Sequence, residues 1–90
     1  MTIFAELEKT KGTFETLMVL LAKGDSRSTY LIDSISASRE TFYKIMKILK
    51  KYELAKKVYV EDKDVLTWTL TSKGKEIAKH LIEIDKILNP

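Results

Sequence analysis

The 90-residue chain is predicted to be a mainly α domain carrying one small β-hairpin. Apolar residues recur at helical spacing over most of the sequence, at Phe14, Leu17, Leu21, then Phe42, Ile45, Met46, Leu49, then Ile77, Leu81, Ile84, Leu88. The period shifts to two in "KVYVED" and "DVLTWTL" alone. Helix-period segments before and after a single period-two pair fix the order of the elements.

At this length, with 44% hydrophobic residues, the chain is one domain over 1–90, near the size where a core hides roughly 60 to 65% of the extended surface. There is no cysteine and one histidine, so a disulfide framework and a cysteine-based zinc site are excluded. The longest apolar run, Leu17 to Ala22, is far short of the ~20 residues that cross a bilayer. The start "MTIFAELEKTK" lacks a signal-peptide layout, and a cytoplasmic protein with no membrane partner is expected.

Ile3, Phe4 and Leu7 have helical spacing and predict a short first helix ending near "KTKG", where Gly12 breaks it; residues 1–11 form an N-terminal helical extension. From Thr13 to Lys23, Phe14, Leu17, Met18 and Leu21 make a stripe, with Val19, Leu20 and Ala22 filling the other sides, so this helix is buried on more than one side. Gly24 ends it. "SRSTYLIDSIS" gives a brief helix from roughly Ser28 to Ser34 with Leu31 and Ile35 inward and serine or threonine available to cap it. Ser36 or Ser38 can cap the next helix, which runs to about Tyr52. Two period-two segments flank the polar "EDKD": Val58 and Val60, then Leu66, Trp68 and Leu70 on one face with Val65, Thr67 and Thr69 on the other. Thr71 is set to cap a final helix over 72–88. Three helices, a two-stranded ribbon and a long C-terminal helix constitute a winged helix-turn-helix.

Three short motifs in this order resemble archaeal and bacterial winged-helix transcriptional regulators of the broad MarR, ArsR and PadR type. The resemblance covers about Thr13 to Leu88: Thr41-Phe42 opens the recognition helix, "ILKKYELAKK" matches its end and the first wing strand, and "LTWTLTSKGKEIA" matches the second strand and the start of the last helix, with Thr71 and Gly74 in register. It implies a DNA-binding function. Two departures stand out. Glu53 occupies the place where those proteins usually carry glycine, which demands a non-glycine residue in a tight turn. The wing tip, Glu61, Asp62, Lys63 and Asp64, is acidic where basic residues are usual, so wing contacts must come from its base, Lys56 and Lys57, with Lys63.

Charge concentrates on the same helix. Between Arg39 and Lys57 lie seven cations, Arg39, Lys44, Lys47, Lys50, Lys51, Lys56 and Lys57, against Glu40 and Glu53, so that window carries +5 in a chain of net +3. At 100° per residue, Phe42, Ile45, Met46 and Leu49 share one sector, and Glu40, Tyr43, Lys44, Lys47 and Lys51 oppose it. Such a helix suits a major groove about 12 Å wide. Arg39, Glu40, Tyr43 and Lys44 are then the candidates for base reading, Arg39 toward guanine O6 and N7 and Glu40 toward cytosine N4; Lys47, Lys50 and Lys51 are candidates for phosphates. Arg27 and Ser28 are further phosphate candidates. The plainer reading, a solvated back of an amphipathic helix, stays open for the row, as simple capping does for Arg27 and Ser28.

Enzyme chemistry finds no support. His80, between Glu76 and Glu83, has no second histidine or cysteine to complete a metal set or a nucleophile pair, and "SKGKE" lacks phosphate-loop spacing. No cofactor or metal is expected. Ile77, Leu81, Ile84 and Leu88 could all pack on the helix of Leu17 to Ala22, yet Ile3, Phe4 and Leu7 would remain uncovered, and a homodimer through the first and last helices is expected. The chain reads as a sequence-specific regulator of transcription on double-stranded DNA, without an effector domain of its own. The alternative is a winged-helix protein-interaction or accessory module of a transcription or replication complex, motivated by the acidic wing tip.

Overall fold

The computed structural model describes residues 2–90. Five helices and one hairpin follow in the order α1 (Ile3–Lys9), α2 (Thr13–Lys23), α3 (Ser28–Ser34), α4 (Arg39–Lys51), β1 (Ala55–Val60), β2 (Val65–Leu70) and α5 (Ser72–Leu88). This is the winged helix-turn-helix that the element order predicts.

The core forms where α4 meets α2 and α3. Phe42, Ile45, Met46 and Leu49 are all buried, as the narrow apolar sector of α4 requires, and Leu17, Leu20, Leu31 and Ile35 close over them. On α2 the innermost residues are Thr13, Thr16, Leu17 and Leu20, with Phe14, Met18 and Leu21 only half-buried. The predicted stripe is thus rotated. Two threonines can sit inside because their hydroxyls donate to local carbonyls, Thr13 to Thr10 at 2.8 Å and Thr16 to Gly12 at 2.7 Å, leaving no unpaired polar group.

The hairpin pairs Ala55 with Leu70 through to Val60 with Val65, antiparallel, and turns through Glu61–Lys63 with Asp64 in the left-handed region. Trp68 and Leu70 are buried, but Leu66 on the same face is 53% exposed. The ribbon extends past the helices, so alternation fixes the face and not the burial. A third segment joins it: Ser26 and Trp68 exchange both backbone hydrogen bonds, at 3.1 and 2.7 Å, tying the α2–α3 link to the wing.

The end of α4 is a tight left-handed turn. Glu53 has φ of +59°, Leu54 N–H donates to Leu49 C=O at 2.8 Å, and Glu53 N–H to Lys50 C=O at 3.1 Å, the paired bonds with which helices close when glycine occupies that position. A glutamate there costs about 1 kcal/mol relative to glycine. The start of α5 braces the turn. Thr71 caps α5 by accepting from Gly74 N–H at 3.0 Å, its hydroxyl donates to Glu53 C=O at 2.7 Å, and its N–H donates to Leu54 C=O at 3.1 Å. Gly74 lies so close to Leu54 that an added Cβ would stand 1.9 Å from the Leu54 carbonyl oxygen. The "LTSKG" motif therefore has a mechanical meaning: threonine binds the turn and glycine lets it approach.

Only the first half of α5 belongs to the core. Gly74 and Ala78 are buried, Ile77 and Leu81 pack partly against the core, and Ile84, Ile87 and Leu88 are exposed.

Candidate nucleic-acid interface

Helix α4 opens at Ser38, whose hydroxyl accepts from Thr41 N–H at 3.2 Å. Because its buried sector is fixed by the core, its other side must face out. Arg39, Glu40, Tyr43, Lys44, Lys47, Lys50 and Lys51 are all exposed and sweep an arc of roughly 140° around the axis. Tyr43 is steadied by an edge-on contact with Phe42, ring centroids 5.4 Å apart, which holds its phenol outward. Lys50 and Lys51 stand in the last turn, where the helix dipole favours cations.

The flanking candidates divide. Lys56 and Lys57 are exposed at the base of the wing; the Lys57 ammonium lies 5.2 Å from the Trp68 ring centroid, which anchors its stem. Arg27 is exposed at the position before α3 and makes no side-chain cap, so the expected serine or threonine cap is absent. The Ser28 hydroxyl accepts from Trp68 Nε1–H at 3.0 Å, which makes its first role the joining of α3 to the wing. At the wing tip Glu61, Asp62, Lys63 and Asp64 are exposed, and the Tyr59 phenol donates to the Asp64 carboxylate, an interaction that pushes the phenol up in pKa.

Lys51 departs from its expected role. Its ammonium sits 3.3 Å from Glu6 Oε1 on α1 and 5.1 Å from the Tyr52 ring centroid, drawn back from the outward row. The Tyr52 phenol donates to the other oxygen of Glu6. That hydrogen bond, with Lys51 beside it, holds the Glu6 carboxyl below its ordinary pKa; the same bond raises Tyr52, and Glu6 raises Lys51. Lys73, on α5, donates to Tyr52 C=O at 3.5 Å. None of this was visible in the sequence, where Glu6 and Tyr52 stand 46 positions apart.

The expected dimer face is also redistributed. Leu7 is 4% exposed and is consumed by the chain's own core, because α1 lies down on α2. Ile3 and Phe4 are exposed, with Phe4 against Phe14 at 5.4 Å between centroids. Together with Ile77, Leu81 and Ile84 they line an open apolar groove of about 310 Å³ between α1 and α5, and Ile87 and Leu88 continue beyond it. Among the described residues, no group of three or more histidines, cysteines or carboxylates is arranged to hold a metal, and no helix is long and apolar enough to cross a membrane.

No family model matches the chain, and no curated protein matches it either. Solved structures do. A variant of ZitR from Lactococcus lactis is 29% identical with a TM-score of 0.73, over 87% of this chain and 54% of that one. The adhesin competence repressor AdcR from Streptococcus pyogenes is 26% identical with a TM-score of 0.73, over 93% of this chain and 62% of that one. A MarR family regulator from Neisseria meningitidis shares the fold at 21% identity, with a TM-score of 0.75 over 94% of this chain and 61% of that one. The chain thus spans between 54% and 62% of the length of these three structures. Of these three, AdcR is a repressor and the Neisseria protein a MarR family regulator. This chain is a winged helix-turn-helix domain, similar in sequence and fold to ZitR and AdcR and in fold to a MarR family regulator.

Proposed function

We propose that the chain is a sequence-specific regulator of transcription that binds double-stranded DNA as a homodimer, with α4 in the major groove, in the cytoplasm and without a cofactor. The observation that carries this reading is the outward row of α4, a core-anchored helix whose free side holds Arg39, Glu40, Tyr43, Lys44 and Lys47. Arg39, Glu40, Tyr43 and Lys44, in its first turns, read base edges; Lys47 and Lys50 meet phosphates, joined by Arg27 and by Lys56 and Lys57 at the wing base. The acidic wing tip stays off the backbone. Ile3, Phe4 and Ile84, with Ile87 and Leu88, pair the protomers, and two copies of α4 about 34 Å apart then read a near-palindromic site.

Duplex binding across a salt series tests the reading. The logarithm of the binding constant should fall with log salt by about 0.9 per phosphate neutralised, several units in all. No binding at low salt, or a flat slope, favours the second reading, a protein-contact or accessory module, whose motivating feature is the exposed Glu61, Asp62 and Asp64 at the wing tip. Selecting a site from random duplexes adds the symmetry of the target.

A further inference from the structure

Helix α1 reaches the recognition helix through a single carboxylate. Arg39, Lys44, Lys47, Lys50, Lys56 and Lys57 have no carboxylate within ion-pair distance among the described residues, whereas Lys51, angularly between Glu40 and Lys44 on the outward arc, has its ammonium on Glu6. Glu6 stands in the first turn of α1, where the dipole of its own helix suits a carboxylate. Its carboxylate meets the C-terminal end of α4, where the dipole disfavours it, so its hold on that helix comes through the two side chains it binds there. Those partners are both at the end of α4: Lys51 on one oxygen, the Tyr52 phenol on the other. The Lys51 side chain is 62% exposed, so the pair is open to competition by a stronger anion.

We propose that Glu6 is a built-in competitor for DNA phosphate at Lys51, so that α1 sets how many phosphates the recognition helix neutralises. This rests on the DNA-binding reading above. Lys51 carries no sequence information, and withholding it lowers the electrostatic attraction that any duplex shares. The same α1 presents Ile3 and Phe4 to the groove beside α5, so whatever occupies that groove also touches the element that holds the competitor. Release of Glu6 turns Lys51 outward; docking of α1 turns it back.

The test compares salt slopes on a random-sequence duplex for the parent, Glu6→Gln, Lys51→Ala and the double variant. Gln keeps an acceptor for Tyr52 while removing the charge. The parent and Lys51→Ala should share one slope. Glu6→Gln should be steeper by about 0.9 for each protomer bound, so its advantage over the parent grows about 3.5-fold per protomer between 200 and 50 mM salt. The double variant should return to the parent slope. A Glu6→Gln slope equal to the parent's overturns the proposal, and so does a flatter slope in Lys51→Ala alone, which leaves the Glu6–Tyr52 bond intact. Should the parent fail to bind duplex at low salt, the DNA-binding reading itself falls and takes this one with it; a parent that binds steeply with an unmoved variant indicts only the role of Glu6.

Discussion

Replacing Gly74 by alanine should invert the usual sign of a helix substitution. In an exposed helix, Gly to Ala stabilises by roughly 1 kcal/mol through backbone entropy. At Gly74 the new methyl would stand 1.9 Å from Leu54 O and 2.9 Å from its carbonyl carbon, and both are main-chain atoms that no rotamer change moves. Relief requires α5 to back away from the turn after α4, loosening Thr71 to Glu53 and Thr71 to Leu54. Overpacking of this kind costs about 1–3 kcal/mol and the loss of two hydrogen bonds about 1 kcal/mol each, against the gain of ~1. The net is a loss of about 2–4 kcal/mol, or roughly 10–30 °C in melting temperature for a domain of this size. Thermal denaturation followed by circular dichroism reads it directly. A Gly74→Ala protein as stable as the parent, or more so, would refute the close approach on which the brace depends.

Lys47→Ala should flatten the salt slope on duplex DNA by about 0.9 per protomer while moving stability by less than about 0.5 kcal/mol, because Lys47 is exposed and unpaired; a large drop in melting temperature would mean that α4 faces the other way. Ile87→Asp should lower the solution mass measured by light scattering without changing the fold, since Ile87 is 78% exposed in the protomer; a parent that is already monomeric rules out the dimer. The Glu6 carboxyl is held below its ordinary value of 4.5, chiefly by Tyr52, so its contribution to stability is present above that value and lost as pH falls through the lowered one. Tyr52 is raised above 10.0 by Glu6, so its share is present below 10.0 and lost as pH rises through the raised value. Denaturant titrations should show both limbs in the parent, and Glu6→Gln should lose the acid one.

Much of the fold was legible because local chemistry and tertiary packing agree. Phe42, Ile45, Met46 and Leu49 stand at one helical angle and are buried together; Ser38 and Thr71 cap the helices that follow them. What sequence could not supply depends on partners distant along the chain. Thr13 and Thr16 read as polar until their hydroxyls are seen to close on Thr10 and Gly12. Leu7 reads as a spare apolar residue until α1 is laid on α2. Leu66 shares the Trp68 face but overhangs the helices, and Lys51 belongs to the basic row by angle yet turns to Glu6 across 45 positions. The outward row of α4 was readable because a core sector determines its complement. The division of cations into free and engaged was not, because that is decided by an element outside the helix.

Trp68 is the sole tryptophan in the chain. It bridges Ser26 by its backbone, holds Ser28 through its indole N–H and lies under Lys57. The wing and the entrance to the helix-turn-helix therefore share one chromophore. Any event that draws Lys57 off the ring or shifts α3 against the ribbon changes the indole's surroundings, so emission from the unlabelled protein should report engagement of the wing base. Dye-labelled α4 would report engagement of the recognition helix separately, and the two signals together would time which half of the domain lands first.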